Sequence, residues 1–432
     1  MKTDSNAART DRAEHAPTPD TNARTLTGRD FFFLWAGAGI ALTEIWAGGL
    51  LAPLGLTAGL IVIVLGHVIG NTPLALAGLI GSRHGVAAMA STRAALGSRG
   101  SILPALLNVT QLVGWTAVML WVGGEAATRL AGGFGSRTFW IILAGLLTTG
   151  WALGGHRFWK KLQAAAVILL ALLSGLMTYL ALQRYGWSGL ASQPAAGGLS
   201  FMSGLDLVIA MPVSWIPLVA DYARHARRPG PALVGTWTGY FLAGCWMYSV
   251  GLMVSLATGS STPDAMIMDL MASYGWAAAA LLIAVVSTFT TTFLDIYSNA
   301  VSVRSITTRW GERTVILATG VLGTGLALVL NPHFYEHFLL LIGSAFCPLF
   351  GVVLADYFVA RRGRWPEELA TGAGPRFRLT GLVAWLLGIA VYHLIARMWP
   401  GLGASLPAML LAAVIYLVLH AAIGRADAKA SP

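Results

Sequence analysis

Charge is scarce in this sequence. Only 11% of its 432 residues are Asp, Glu, Lys or Arg, less than half the usual share in a soluble domain. A chain of this length could not cover a water-soluble surface with so few charges, which excludes an ordinary cytosolic enzyme and a disordered protein. Cysteine is almost absent. Cys245 and Cys347 lie far apart in apolar runs, which excludes a disulfide framework and a thiolate metal site. Acids are fewer than bases, 18 against 28, for a net charge of +10. The basic residues stand between apolar segments instead of forming a stripe, so no nucleic-acid partner is expected. Residues 1–29 are polar and lack the apolar core of a signal peptide. They read as a disordered cytoplasmic tail, with the first membrane helix serving as its own signal.

What the chain has in abundance is apolar residues, 56% of the total, with a mean hydropathy of +0.69. A spanning helix needs about 20 mostly apolar residues. Twelve such runs are read: 31–56, 57–82, 101–130, 137–155, 161–184, 204–224, 231–258, 272–303, 312–331, 335–360, 378–397 and 404–424. With the N-terminus inside, only Arg129, Arg137, Arg184 and Arg397 of the 28 basic residues fall outside. This asymmetry is the positive-inside pattern, and one miscounted early helix would destroy it. The expectation is a multi-pass inner-membrane protein with both termini cytoplasmic. The net charge is then a mark of topology, and the sequence sets no oligomeric state.

Two runs are interrupted. The first reads Gly37-Ala38-Gly39-Ile40-Ala41-Leu42-Thr43-Glu44, with Gly48, Gly49 and Pro53 beyond. The sixth carries Met211-Pro212-Val213-Ser214-Trp215-Ile216-Pro217. Proline removes an amide donor and clashes with the preceding turn. The two interruptions occupy the first helices of two five-helix halves, the arrangement of inverted-repeat transporters with a site near mid-membrane. Among the acids, Asp206, Asp221, Asp356 and Glu125 sit near span ends as caps or ion-pair partners, and only Glu44 and Asp295 fall well inside. A charge there costs at least about 2.5 kcal/mol on insertion scales and usually faces a functional cavity.

The eighth run is the most polar, from Ser287 through Thr288, Thr290, Thr291, Thr292 and Asp295 to Asn299. Residues four apart share a helix face, so Thr291, Asp295 and Asn299 form a stripe that suits a hard monovalent cation. The competing reading is that these hydroxyls bond back to their own helix. In the third run Gln111 and Trp115 are also four apart. An indole and an amide on one face suit a flat heteroaromatic ligand, although Trp in a membrane helix is commonly a packing residue.

Gly81-Ser82-Arg83-His84-Gly85, Ser91-Thr92-Arg93, Gly114-Trp115, Ala220-Asp221-Tyr222, Asp356-Tyr357-Phe358 and the Thr290-Thr291 to Tyr297-Ser298 stretch together resemble the first nucleobase–cation symporter family. Glu44 and the Pro212–Pro217 run most resemble its hydroxymethylpyrimidine permease branch, linked to a thiamin precursor. The resemblance implies an all-α, LeuT-type core at 30–360, with inverted repeats at about 30–184 and 204–360. A cytoplasmic loop at 361–377, two peripheral helices at 378–424 and a tail at 425–432 follow. It implies a sodium site from Gly39, Thr290 and Thr291, sodium being the coupling ion and no cofactor being required. It places the ligand between the first, third, sixth and eighth helices, stacked on Trp115, with Glu44, Gln111, Ser214, Trp215 and Asp295 as candidate contacts. Met119 stands where the family often has Gln, and Gln111 can take over that amide role.

The expected function is sodium-coupled import of a pyrimidine or related heterocycle by alternating access. The alternative is a cytosine or purine permease, or a proton-coupled carrier of another heterocycle or amine with Asp295 as proton carrier. An enzyme is not expected. Gly186-Trp187-Ser188-Gly189 only superficially matches an intramembrane serine motif and has no activating His nearby. A continuous channel fits poorly with broken helices and central carboxyls. The topology has a direct check: a C-terminal green fluorescent protein fusion should fluoresce and a C-terminal alkaline phosphatase fusion should be inactive. The reverse pattern would invert the orientation.

Overall fold

The computed structural model describes residues 24–154, 159–195, 197–307, 309–370 and 374–430. The described chain is helical, and its one β-like contact is an isolated bridge between Leu26 and Ala226. Helices α1 (Gly28–Gly39) and α2 (Leu42–Gly49) make an interrupted first crossing, and α3 (Gly55–His84) returns. The short turns α4 (Ala88–Ser91) and α5 (Arg93–Leu96) precede α6 (Ile102–Leu130), α7 (Arg137–Gly154) and α8 (Trp159–Ala191). The second interrupted crossing is α9 (Phe201–Ser214) with α10 (Ile216–Ala223). It is followed by α11 (Pro229–Thr258), α12 (Pro263–Met271), α13 (Ala277–Ile306), α14 (Glu312–Val329) and α15 (Phe334–Leu354). A short turn α16 (Glu367–Ala370) and two last helices, α17 (Leu379–Met398) and α18 (Ser405–Ala430), complete the chain.

Ten helical stretches among the described residues are long and apolar enough to cross a membrane, with Arg137–Leu153 a shorter apolar helix. The twelve expected crossings correspond to these eleven once the stretch Leu42–His84 is divided, α2 joining α1 as the first crossing and α3 making the second. The differences lie between crossings. The 259–276 connection holds α12, and the 361–377 loop holds α16. The fifth crossing continues past 184 to Ala191 across a kink at Gly186, where φ is +65°. The expected tail also ends earlier than 29. The Leu26 amide donates to the His225 carbonyl at 3.0 Å, and the Arg227 amide donates to the Leu26 carbonyl at 2.8 Å. Thr27 then caps α1 reciprocally with Asp30. Two backbone bonds and a capping box hold residues that composition alone assigns to a tail.

The two interruptions differ in kind. In the first, Ala41 is extended, at φ −139° and ψ 158°, so α1 and α2 are separated by backbone that is not helical. In the second, Trp215 keeps right-handed helical angles, φ −86° and ψ −14°. Pro212 lies inside α9 and Pro217 in the first turn of α10, so both withhold amides beside this turn.

The interrupted helices are clasped by their neighbours. Helix α1 lies along α11, α6 along α13, and α3 against both α9 and α11. Helix α11 meets the first crossing through glycine. A Cβ on Gly239 would stand 2.3 Å from the Phe32 carbonyl oxygen, and one on Gly251 would stand 1.9 Å from that of Ile45. Without a hydrophobic gain between helices in lipid, small residues that allow close backbone approach supply the packing. The acids near span ends act as anchors. Asp206 accepts the Ala404 and Ser405 amides where α18 begins, and Asp221 accepts the Ala88 amide where α4 begins. Asp356 takes the Arg361 Nε on both oxygens at 2.9 Å, and Glu125 pairs with Arg137.

Gly251→Val should force α2 from α11 and lower the melting temperature of the detergent-solubilised protein, an overpacking cost of about 1–3 kcal/mol. Gly150→Ala, at a position with open space around it, should leave it unchanged. Equal melting temperatures for both would refute the clasp.

Candidate functional site

The break in the first crossing opens onto a cavity at the centre of the bundle. Ala41, Thr43 and Glu44 line it from the first crossing; Leu112, Trp115 and Met119 from α6; Met211, Ser214, Trp215 and Leu218 from the second interrupted crossing; Thr291 and Asp295 from α13. The space for water-sized molecules is about 10 Å³, about what one water needs. Two indoles, two carboxyl groups and two threonine hydroxyls therefore converge on a nearly closed space.

The carboxyl groups differ in their partners. Glu44 is engaged at both oxygens: the Tyr240 hydroxyl donates to Oε1 at 3.0 Å and the Thr43 hydroxyl to Oε2 at 2.9 Å. The Trp215 Nε1 donates in turn to the Tyr240 hydroxyl at 3.2 Å. Glu44 thus joins α2 to α11 and, through Tyr240, to the bend of the second crossing. Asp295 is buried, and its Oδ2 has no hydrogen-bond partner among the described residues. An unsatisfied polar atom inside a bundle is costly, and this one belongs to the lining of the cavity.

The aromatic walls are held edge to face. Trp115 meets Phe338 at 5.2 Å and 74°, and Trp215 meets Trp35 at 6.0 Å and 83°. Behind the cavity, Trp46 is stacked between Tyr335 at 4.1 Å and Trp121 at 5.3 Å. The Tyr335 hydroxyl donates to the Thr43 carbonyl at 2.8 Å. Aromatic pairs in these geometries add about 0.5–1.5 kcal/mol each beyond area burial, and they fix indole planes that a flat ligand can use.

Several expected contacts sit elsewhere. Gln111 lies outside the lining: its Nε2 donates to the Ser214 carbonyl at 2.9 Å and to Asn108 Oδ1 at 2.8 Å. The reason is local. The Leu218 amide bonds the Trp215 carbonyl, which leaves the Ser214 carbonyl for Gln111 to satisfy. Asn299 leaves the expected stripe, since its Nδ2 donates to Thr319 on α14 at 2.9 Å. Thr288, Thr291 and Thr292 all donate back to carbonyls of their own helix, as the competing reading held. The Thr291 oxygen keeps lone pairs for a cation. Gly39 ends α1 and packs on α11, where an added Cβ would come within 3.0 Å of Ala243. Its carbonyl belongs to the last turn of α1, whose oxygens have no following amide to accept. The Thr290 side chain lies outside the described residues.

Tyr240, Tyr335 and Thr43 were not singled out from the sequence. Thr43 alone carried a usable signal, since it stands beside Glu44 in the interrupted run. Ser188 is exposed at the far end of α8 and takes no part in the cavity.

A family model described as permease for cytosine/purines, uracil, thiamine and allantoin matches residues 17–419. The chain is 29% identical over 354 residues to the cytosine permease of Escherichia coli strain K12, covering 81% of this chain and 80% of that one. It is 24% identical over 325 residues to the hydantoin permease of Microbacterium maritypicum, covering 65% and 62%. Among solved structures, the inward-facing conformation of Mhp1 superposes with a TM-score of 0.82 at 20% identity, over 96% of this chain and 93% of that one. The fold is thus the LeuT-like one expected from the sequence, and the relatives are permeases, not enzymes. With its match running over nearly the whole length, this chain belongs to the cytosine/purine permease family of nucleobase–cation symporters and is a multi-pass membrane transporter.

Proposed function

We infer that the transporter imports a small flat heterocycle bearing N–H donors, an aminopyrimidine such as cytosine or hydroxymethylpyrimidine, coupled to sodium. The observation that carries this reading is the unpartnered Asp295 Oδ2 in a cavity walled by Trp115 and Trp215. An exocyclic amine or ring N–H satisfies that oxygen, and the ring slots between indole faces. Glu44, spent on Tyr240 and Thr43, is a positioning residue that sets the angle between the interrupted helices. Ser214 adds little through its hydroxyl, which donates to the Met211 carbonyl at 2.6 Å. Sodium is held by the Gly39 carbonyl, Thr290 and Thr291, where it brings the end of α1 against α13. The nearly closed cavity favours a cycle in which half-helices move to admit the ligand. The arginine-rich ends of the helices face the cytoplasm, with both termini on that side of the inner membrane.

Proton coupling is the second reading, favoured by the same buried carboxyl. Uptake into proteoliposomes with potassium replacing sodium at fixed pH separates the two. Abolished uptake supports sodium, while unchanged uptake assigns the role to protons.

Asp295→Asn should weaken equilibrium binding of labelled cytosine or hydroxymethylpyrimidine about 10- to 100-fold, the range for a hydrogen bond to a charged group. Glu44→Gln should cost less at equal expression. The opposite order would exchange the two roles. Thr291→Ala should raise the sodium concentration for half-maximal uptake while leaving affinity at saturating sodium nearly unchanged. A variant with wild-type sodium dependence would remove Thr291 from the ion site.

A further inference from the structure

A second recess lies far from the central cavity, at the arginine-rich ends of the helices. It has a volume of about 410 Å³ and is lined by Ala360, Arg361, Arg362, Arg364, Trp365 and His420 with Pro366. Its charges are unequal. Arg361 is committed to Asp356 on both oxygens and donates to the Ala94 carbonyl at 3.2 Å. The Tyr416 hydroxyl also bonds Asp356, a buried acid behind the lining. Arg362 and Arg364 are exposed and lack an acidic partner among the described residues. The backbone holds them there. The Arg361 amide donates to the Asp356 carbonyl and the Gly363 amide to that of Tyr357. This turn keeps Arg362 at φ +51°, the one described non-glycine residue with positive φ, a conformation that costs about 1–3 kcal/mol. Trp365 closes one wall, stacked on His84 at 5.5 Å, and His84 is bonded to the Tyr357 hydroxyl at 2.7 Å. His420 stands on the other wall, stacked on Tyr416 at 5.7 Å.

The height of the recess is set by its helices. Ala360 ends the apolar stretch Phe334–Ala360, and His420 falls at the end of the stretch Ser405–Ala422. The recess therefore sits at the boundary between hydrocarbon and headgroups. On the membrane side of it the surface turns apolar and exposed. Val359, next to the lining residue Ala360, is 57% exposed. Two free guanidiniums above, an indole at the interface and the hydrocarbon layer below match one molecule, with an anionic head and hydrocarbon tails.

We propose that this recess is a binding site for an anionic phospholipid, whose phosphate is held by Arg362 and Arg364 and whose acyl chains enter the hydrocarbon layer beside Val359. The site is independent of the transport substrate. It ties the end of α15 to the peripheral helix α18, so an occupied site stabilises that seam.

The test is a thermal-shift series on the purified full-length protein in neutral detergent, with added phosphatidylglycerol, phosphatidylcholine or inorganic phosphate. Native mass spectrometry supplies lipid affinities on the same samples. Phosphatidylglycerol should raise the melting temperature, and phosphatidylcholine and phosphate should not. Each arginine facing an anionic head is worth about fivefold in affinity, so Arg362→Gln with Arg364→Gln should weaken phosphatidylglycerol binding about 25-fold. Arg397→Gln, at an exposed position outside the recess, should retain it. If the double variant does not fold, Arg364→Gln alone should show the fivefold loss. Equal shifts from phosphatidylglycerol and phosphatidylcholine, or wild-type affinity in the double variant, would overturn the site. An equal shift from phosphate would overturn the lipid in favour of a free anion.

Discussion

A peptide bond inside a bilayer has no water to turn to, and the departure of this backbone from helical geometry at Ala41 makes that the central constraint on the molecule. Once α1 stops at Gly39, its last carbonyls and the first amides of α2 need protein or ligand partners. Much of the neighbouring structure is arranged around that break. Tyr335 reaches across from α15 to the Thr43 carbonyl, and Glu44 takes two hydroxyls. Glycines on α11 bring its backbone against both half-helices. The same logic, in weaker form, governs the second crossing, where the side chain of Gln111 serves the Ser214 carbonyl.

The arrangement sorts the acids by the work they do. Those at the helix ends cap amides or neutralise arginines and make the bundle rigid. Glu44 looks like a functional charge in one dimension, and in three it is also a bracket between helices, taking one hydroxyl at each oxygen while it lines the cavity. Asp295 is the carboxyl left with capacity. Depth in the membrane is readable from sequence and distinguishes the first group from the last two. Distinguishing Glu44 from Asp295 requires knowing who sits opposite, and Tyr240 lies 196 residues away from Glu44 in the chain.

That division runs through everything the sequence disclosed. Features set by a single segment were legible: the apolar runs, the Gly37–Gly39 interruption, the paired prolines of the second crossing and the four elements around Trp115 and Asp295. Features set by the meeting of two segments were not. Asn299 shares a face with Asp295 in helical register, yet it turns to Thr319 because α14 offers a partner there. Helix α12 escaped notice because Pro263–Met271 is too short to stand out as a span. The bond of Leu26 with residues 225–227 links polar segments in which nothing local announces pairing.

That last contact has a mechanical consequence. Leu26 precedes the start of α1 and Ala226 follows the end of α10, so the bridge fastens one half of each interrupted crossing to the other at the same face of the bundle. The two half-helices are yoked. Neither can swing outward alone without breaking the two backbone bonds at Leu26.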